Sequence, residues 1–373
     1  MIFDQALLLV FTFYALARLI DLFFVETLEI ISKKLKLSSD VAGATFMAVG
    51  SSAPELFVSI LALTKVSEQQ SLGAGTIVGS AIFNILVIIG ASALFKRALL
   101  TWQPVIRDMT FYILTILVLL FTFIDGKITF VDSLFFVGLY ILYLFSLNFW
   151  KKIFPYTSKD DRLEIVEAID SSEQQKVRNA PWNMKNLFDK LLSTIFFDLD
   201  KYPKLYTVNF LISIGLLAVL SHYMVESAVA IATFFSVPSV IIGLTILASG
   251  TSIPDLLSSI NVAKKGKGDM AIANAVGSNI FDITVGLGLP WFFVTLFTGK
   301  SVIVATENLS SSITLLFATV IALLFLLIAK KWEIGRYAGV LLIASYIFYI
   351  LTQLGLISFS LCLNLGTAFC FNL

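Results

Sequence analysis

The chain has 373 residues, 58% of them hydrophobic and only 14% charged, with 34 Phe and a mean hydropathy of +0.92. That composition excludes a soluble globular protein, because most of the chain must sit in lipid, and no enzymatic activity, cofactor or nucleic-acid partner is expected. The net charge of +1 carries no information about partners; the placement of the basic residues does.

Outer-membrane barrel alternation is absent, and ten apolar runs are long enough for spanning helices, at roughly 5–31, 38–63, 71–95, 109–124, 129–149, 206–233, 239–262, 269–297, 309–329 and 337–359. The first run lacks a basic flank and a small-residue cleavage site, so it reads as a helix and not a leader. With the N-terminus outside, the cytosolic loops receive Lys33, Lys34, Lys36, Lys96, Arg97, Arg107, the basic residues of 151–204, Lys264, Lys265, Lys267, Lys330, Lys331 and Arg336. Only Lys65, Lys127 and Lys300 fall outside, which predicts two extracytosolic termini. Within the polar stretch 151–204, MKNLFDKLLSTIFF at 184–197 sets Leu187, Phe188, Leu191, Leu192, Ile195 and Phe196 on one stripe, the pattern of a short helix along the membrane surface. Beyond the last run, a disulfide between Cys362 and Cys370 and two unpaired thiols are both compatible with the extracytosolic side.

GATFMAVGSSAPELFVSI at 43–60 repeats as GLTILASGTSIPDLLSSI at 243–260, and GTIVGSAIFNI at 75–85 repeats as ANAVGSNIFDI at 273–283. FFVETLEI at 23–30 likewise matches YMVESAVA at 223–230, aligning Glu26 with Glu226. Five runs precede the second copy. An odd number makes the copies enter the membrane in opposite senses, the inverted-repeat design of secondary transporters, with the site near the bilayer midplane and transport by rocking. The predicted fold is therefore an all-α membrane protein of ten transmembrane helices in two inverted five-helix repeats. Residues 1–150 form the first half with its motif at 41–90; 151–204 is a cytosolic linker; 205–360 is the second half with its motif at 240–290; and 361–373 is an extracytosolic tail.

On a helix, Thr45, Ala48, Ser52, Glu55 and Ser59 share a face, as do Thr245, Ala248, Ser252, Asp255 and Ser259. Pro54 and Pro254 cannot donate to the carbonyls of Gly50 and Gly250, so each helix is expected to break beside its acid. Carboxylates, hydroxyls and carbonyls together are the hard oxygen ligands that calcium takes in numbers of about six to eight, and that sodium also accepts. The second segments add Ser80 with Asn84, and Ser278 with Asp282, each one turn apart, while Gly73, Gly75, Gly79 and Gly277 permit close helix approach. Ser51 and Thr251 complete the candidate metal-ligand set of Glu55, Asp255, Asp282, Asn84, Ser52, Ser252, Ser51, Thr251, Ser80, Ser278, Ala48 and Ala248. Three carboxylates call for counter-charge: one calcium with one monovalent ion, three sodium ions, or protons.

GATFMAVGSSAPEL with GTIVGSAIFNI, and GLTILASGTSIPDL with KGKGDMAIANAVGSNIFDITVGLGLPW, resemble the two alpha repeats of the cation/calcium exchanger superfamily, and most of all its potassium-dependent sodium/calcium exchangers. The resemblance extends to DLFFVETLEIISKKLKLSSDVAG. It implies that Glu55 and Asp255 are the essential acids and that Asp282, in the SNIFD motif, serves potassium, where potassium-independent relatives usually carry asparagine. It further implies an antiporter of Ca2+ and K+ against Na+, in the plasma membrane by default. Departures are Ser51, where some relatives have glycine, and a shorter central loop.

Rival readings are a potassium-independent sodium/calcium exchanger, a calcium/proton exchanger, a channel, and an intramembrane aspartyl protease read from the string Gly266, Gly268, Asp269. The last sets its aspartate beside Lys264, Lys265 and Lys267 at the cytosolic interface, and needs no repeat. Glu26 and Glu226 are expected to snorkel or pair helices, Arg18 and Asp21 to neutralise each other, and His222 to be an interface residue.

Overall fold

A computed structural model describes residues 2–35, 48–63, 67–95, 98–154, 187–199, 201–264, 268–304, 307–357, 360–364 and 368–372. Among these, α1 comprises Ile2–Leu19, a π-helical turn Ile20–Phe24 and Val25–Lys34. α2 is in two pieces, Ala48–Ser51 and Ala53–Ala62; α3 runs through Ser67–Phe83, a π turn Asn84–Ile88 and Ile89–Phe95. α4 (Trp102–Thr122), α5 (Phe130–Ile153), the short α6 (Leu187–Ile195) and α7 (Tyr206–Phe235) follow. α8 is again broken, into Ser239–Ile242, a π turn Gly243–Leu247 and Ala248–Thr251, then Ile253–Lys264. α9 comprises Gly268–Phe281, a π turn Asp282–Leu287 and Gly288–Thr298, and α10 (Glu307–Ala329) and α11 (Arg336–Gln353) close the helical part. Thr45 lies outside the described residues.

Eight helices among the described residues are long and apolar enough to cross a membrane, and the pieces of α2 and α8 supply shorter apolar segments. The protein is an integral, multi-pass membrane protein. Local chemistry sets the boundaries: α5, for instance, starts on a capping box in which Thr129 N–H donates to Asp132 at 2.8 Å and Asp132 N–H returns to Thr129 Oγ1 at 3.3 Å.

Two-residue strands tie the loops together. β1 (Ala98–Leu99), after α3, pairs antiparallel with β4 (Glu333–Ile334), after α10; β2 (Lys127–Ile128), after α4, pairs with β3 (Val302–Ile303), after α9. The loop that follows the third helix of each half is thus joined to the loop that follows the fourth helix of the other. A terminal hairpin, β5 (Ser360–Asn364) with β6 (Ala368–Asn372), sets Cys362 opposite Cys370 in its backbone register.

The apolar interior divides in two. One cluster joins α3, α4, α5, α9, α10 and α11 around Tyr112, Phe136 and Trp291. The other joins α1, α7 and α6 to one face of α2 and to Ile242 and Leu247 of α8. α6 lies along the flank of α1, with Phe188 against Phe11 and Tyr14, and Phe196 stacked on Phe23 at 4.0 Å. Its stripe is shared: Leu192 and Phe196 are buried, whereas Leu187, Leu191 and Ile195 are exposed. Arg18 donates a fork to Asp189 of α6 through Nε at 2.9 Å and a terminal nitrogen at 2.8 Å, a partner that helix spacing does not reveal. Arg107, counted among the cytosolic charges, is buried with its head paired to Asp108 at 2.8 Å, so its charge is met by a carboxylate and not by solvent.

Candidate ion-binding site

The two broken helices turn at equivalent places. Ser52 and Ser252 leave helical geometry (φ −94, ψ 10 and φ −86, ψ 3), and Pro54 and Pro254 then open the second pieces, where a proline's missing N–H costs nothing. At the break in α8 the Ser252 N–H donates to the Ala248 carbonyl at 3.3 Å. Helix packing brings the breaks against α3. A Cβ on Gly79 would come within 2.3 Å of the Leu244 carbonyl and 2.7 Å of the Ala248 Cβ, and one on Gly75 within 2.7 Å of the Val240 carbonyl. A Cβ on Gly73 would come within 2.9 Å of the Ser59 Cα, while one on Gly277 would meet nothing within 4 Å among the described residues.

This packing gathers side chains of both halves in one buried site, where Glu55, Asp255, Asp282 and Asn84 are at most 3% exposed. Ser80 and Ser252 meet at 2.8 Å, and each hydroxyl lies 3.4 Å from the same Glu55 carboxylate oxygen. Thr251 stands beside Glu55, its own hydroxyl donating to the Leu247 carbonyl at 3.0 Å. Ser51 and Asn274 face Asp255, and Ser51 meets Ser278 at 3.3 Å. Each acid is therefore dressed by the break of the opposite half. Asp282 lies within electrostatic reach of Glu55 and Asp255, with Ser52 nearby.

The site leaves carboxylate and amide oxygens without hydrogen-bond partners. Both oxygens of Asp282, one each of Glu55 and Asp255, the Asn84 Oδ1 and the Ser52 hydroxyl are buried without a protein partner. Buried anionic oxygens of this kind require a cation or a proton. Among the described residues, no three acidic, histidine or cysteine side chains close into a compact cage. The donor set is instead carboxylates interleaved with hydroxyls and amides, which suits hard cations held by mixed oxygen ligands. Ala248 is buried at the site, but its carbonyl already accepts from the Ser252 N–H at 3.3 Å; of Ala48 the structure describes the backbone, at the start of α2.

Several residues were not singled out by their spacing. Asn279 and Tyr112 form a buried chain with Asn84, and Asn274 faces Asp255. Asp21 comes within electrostatic reach of Asp255. Glu226 is exposed and Glu26 half-buried, and His222 is exposed beside Tyr223.

A multi-pass membrane protein that breaks two equivalent helices to assemble one buried set of hard oxygen donors has the architecture of a cation exchanger. The sequence profile of the sodium/calcium exchanger protein family matches residues 5–148 and 205–355, and the chain belongs to that family. It is 30% identical to sodium/potassium/calcium exchanger 2 of Gallus gallus, over 92% of this chain and 76% of the relative. Identity to sodium/potassium/calcium exchanger 2 of Homo sapiens is 28%, over 92% and 77%. Among solved structures, the sodium-calcium exchanger NCX_Mj soaked with Na+ and Sr2+ superposes with a TM-score of 0.56 at 25% identity, covering 94% of this chain and 98% of that one. The H+/Ca2+ exchanger CAX has the same fold, with a TM-score of 0.68 at 15% identity over 94% and 82%.

Proposed function

We propose that this protein is a secondary active antiporter that exports Ca2+ together with K+ in exchange for Na+, working by alternating access. The observation that carries this reading is Asp282: a buried carboxylate, both oxygens without a protein partner, within electrostatic reach of Glu55 and Asp255. Calcium at Glu55 and Asp255 leaves one negative charge, and a monovalent ion at Asp282 neutralises it. Asn84, in the equivalent position of the first half, brings an oxygen without a charge. The relatives named sodium/potassium/calcium exchangers support the potassium requirement.

In this reading α2 and α8 complete ten spanning helices in two inverted repeats. The crossed pairing of β1 with β4 and β2 with β3 supports the inversion, because like-oriented copies would bring β1 beside β3. The separate apolar cluster of α1 and α7 makes that pair the unit that moves against the other helices.

The test is Ca2+ uptake into Na+-loaded vesicles with K+ present or absent, for the wild type and Asp282→Asn. Uptake by the wild type should need both the Na+ gradient and K+, and Asp282→Asn should lose only the K+ requirement. Uptake that needs Na+ but ignores K+ replaces this reading with potassium-independent exchange; uptake driven by a proton gradient alone replaces it with cation/proton exchange.

A further inference from the structure

We infer that Asn279 and Tyr112 are positioning residues that set which end of the Asn84 amide faces the ions; this rests on the transport reading above. Asn279 occupies in the second half the position of Ala81 in the first, and it reaches back onto that residue: its Nδ2 lies 3.1 Å from the Ala81 carbonyl and 2.9 Å from the Tyr112 hydroxyl.

A backbone carbonyl only accepts, so the Asn279 amide must turn its NH2 toward Ala81 and Tyr112. Its Oδ1 is then committed to the opposite side, where it meets Asn84 at 2.8 Å. Only the NH2 of Asn84 satisfies that contact, which leaves the Asn84 Oδ1 free, buried and without a protein partner. The two amides are geared: reversing Asn84 alone sets oxygen against oxygen, and reversing both sets the Asn279 oxygen against the Ala81 carbonyl. The fixed carbonyl of Ala81 thus reads through two side chains to present an oxygen, and not an NH2, to a cation.

Tyr112, fully buried on α4, holds the far end of the chain and lies within electrostatic reach of Asp282. An NH2 in place of that oxygen would put a partial positive charge beside cations that Asp282 serves.

The same uptake assay tests this as a cycle, read as the K+ and Ca2+ concentrations giving half-maximal uptake. Asn279→Ala should raise them about tenfold, and Tyr112→Phe, which leaves the Ala81 bond, about threefold. Combined with Asn84→Ala, neither should add to the loss that Asn84→Ala causes alone, because both act through the Asn84 oxygen. A purely structural role would multiply the losses; undiminished effects on the Asn84→Ala background, or single variants with unchanged constants, overturn the inference. If Asn279→Ala does not reach the membrane, Tyr112→Phe carries the cycle. If the wild type takes up no Ca2+, the transport reading has failed, and Ca2+ titration of the purified variants by calorimetry decides the positioning role on its own.

Discussion

Ser80 and Ser252 meet hydroxyl to hydroxyl at 2.8 Å although 172 residues separate them. Strict symmetry between the halves would give a second contact between their equivalents, Ser278 and Ser52. The observed partner of Ser278 is Ser51, at 3.3 Å, and the Ser52 hydroxyl is left without a partner. The halves are alike in sequence but offset by one residue where they touch. This pair of contacts is where the symmetry between the two halves is broken at the site.

Glu55 and Asp255 each stand against the helix break of the other half, so neutralising either should disable the site as a whole. We expect Glu55→Gln and Asp255→Asn each to reduce Ca2+ uptake at least about 100-fold, the loss typical of removing a charged partner from a buried charge cluster. Surface expression measured in parallel separates lost transport from lost protein, and wild-type-like uptake by either variant would remove it from the site.

Gly79 is the tightest backbone approach between α3 and α8 in the site. Gly79→Ala should destabilise the protein by about 1–3 kcal/mol, because the obstructing Leu244 carbonyl belongs to the backbone and cannot swing away. Gly215 in α7 has open space where its Cβ would fall, so Gly215→Ala should be neutral or stabilising by up to about 1 kcal/mol. Thermal unfolding in detergent followed by size-exclusion fluorescence measures both.

Arg18 and Asp189 hold α6 to α1 by a forked pair, with side chains 24% and 10% exposed. Breaking it from either side removes a forked, charge-assisted pair and should cost about 1–3 kcal/mol. Arg18→Ala and Asp189→Ala should each expose the segment around α6 to limited proteolysis, and the double variant should be less sensitive than the sum. Additive losses would mean that the two residues act separately.

The crossed strand pairs make a topological prediction. Lys127 and Ile303 are exposed at one loop pair, and Lys330 is exposed next to the other. With Cys362 and Cys370 changed to Ser, an impermeant thiol reagent applied outside should label Lys127→Cys and Ile303→Cys and spare Lys330→Cys until the membrane is permeabilised. α4 alone separates β1 from β2 by about 30 Å, a membrane's hydrocarbon thickness. Labelling of all three from outside would refute the inverted arrangement.

What was legible in the sequence was the repeat. Glu55, Asp255, Ser52 and Ser252 announce themselves because a proline beside an acid recurs in two apolar segments, and the structure puts these residues at the two breaks. Asp282 and Asn84 follow from the second segment, at the starts of equivalent π turns that widen α9 and α3 at the site. Asn279 was invisible because its counterpart is Ala81: a search for matched pairs passes over a residue whose role is to contact its own equivalent. The partner of Arg18 was hidden for another reason, since helix spacing proposes neighbours one turn away and the Asp189 fork closes over 171 residues. The burial of Arg107 is likewise decided by packing against other helices, which a loop count does not contain.

Sodium and calcium are expected to use the same oxygens, so that neither crosses without displacing the other. Calorimetric titration of Ca2+ into the purified protein at increasing Na+, for the wild type and for Glu55→Gln, tests it most directly. Na+ should raise the apparent Kd for Ca2+ competitively in the wild type, and Glu55→Gln should abolish the Ca2+ signal. Calcium binding that is unchanged by sodium would contradict a shared site, and with it the exchange mechanism.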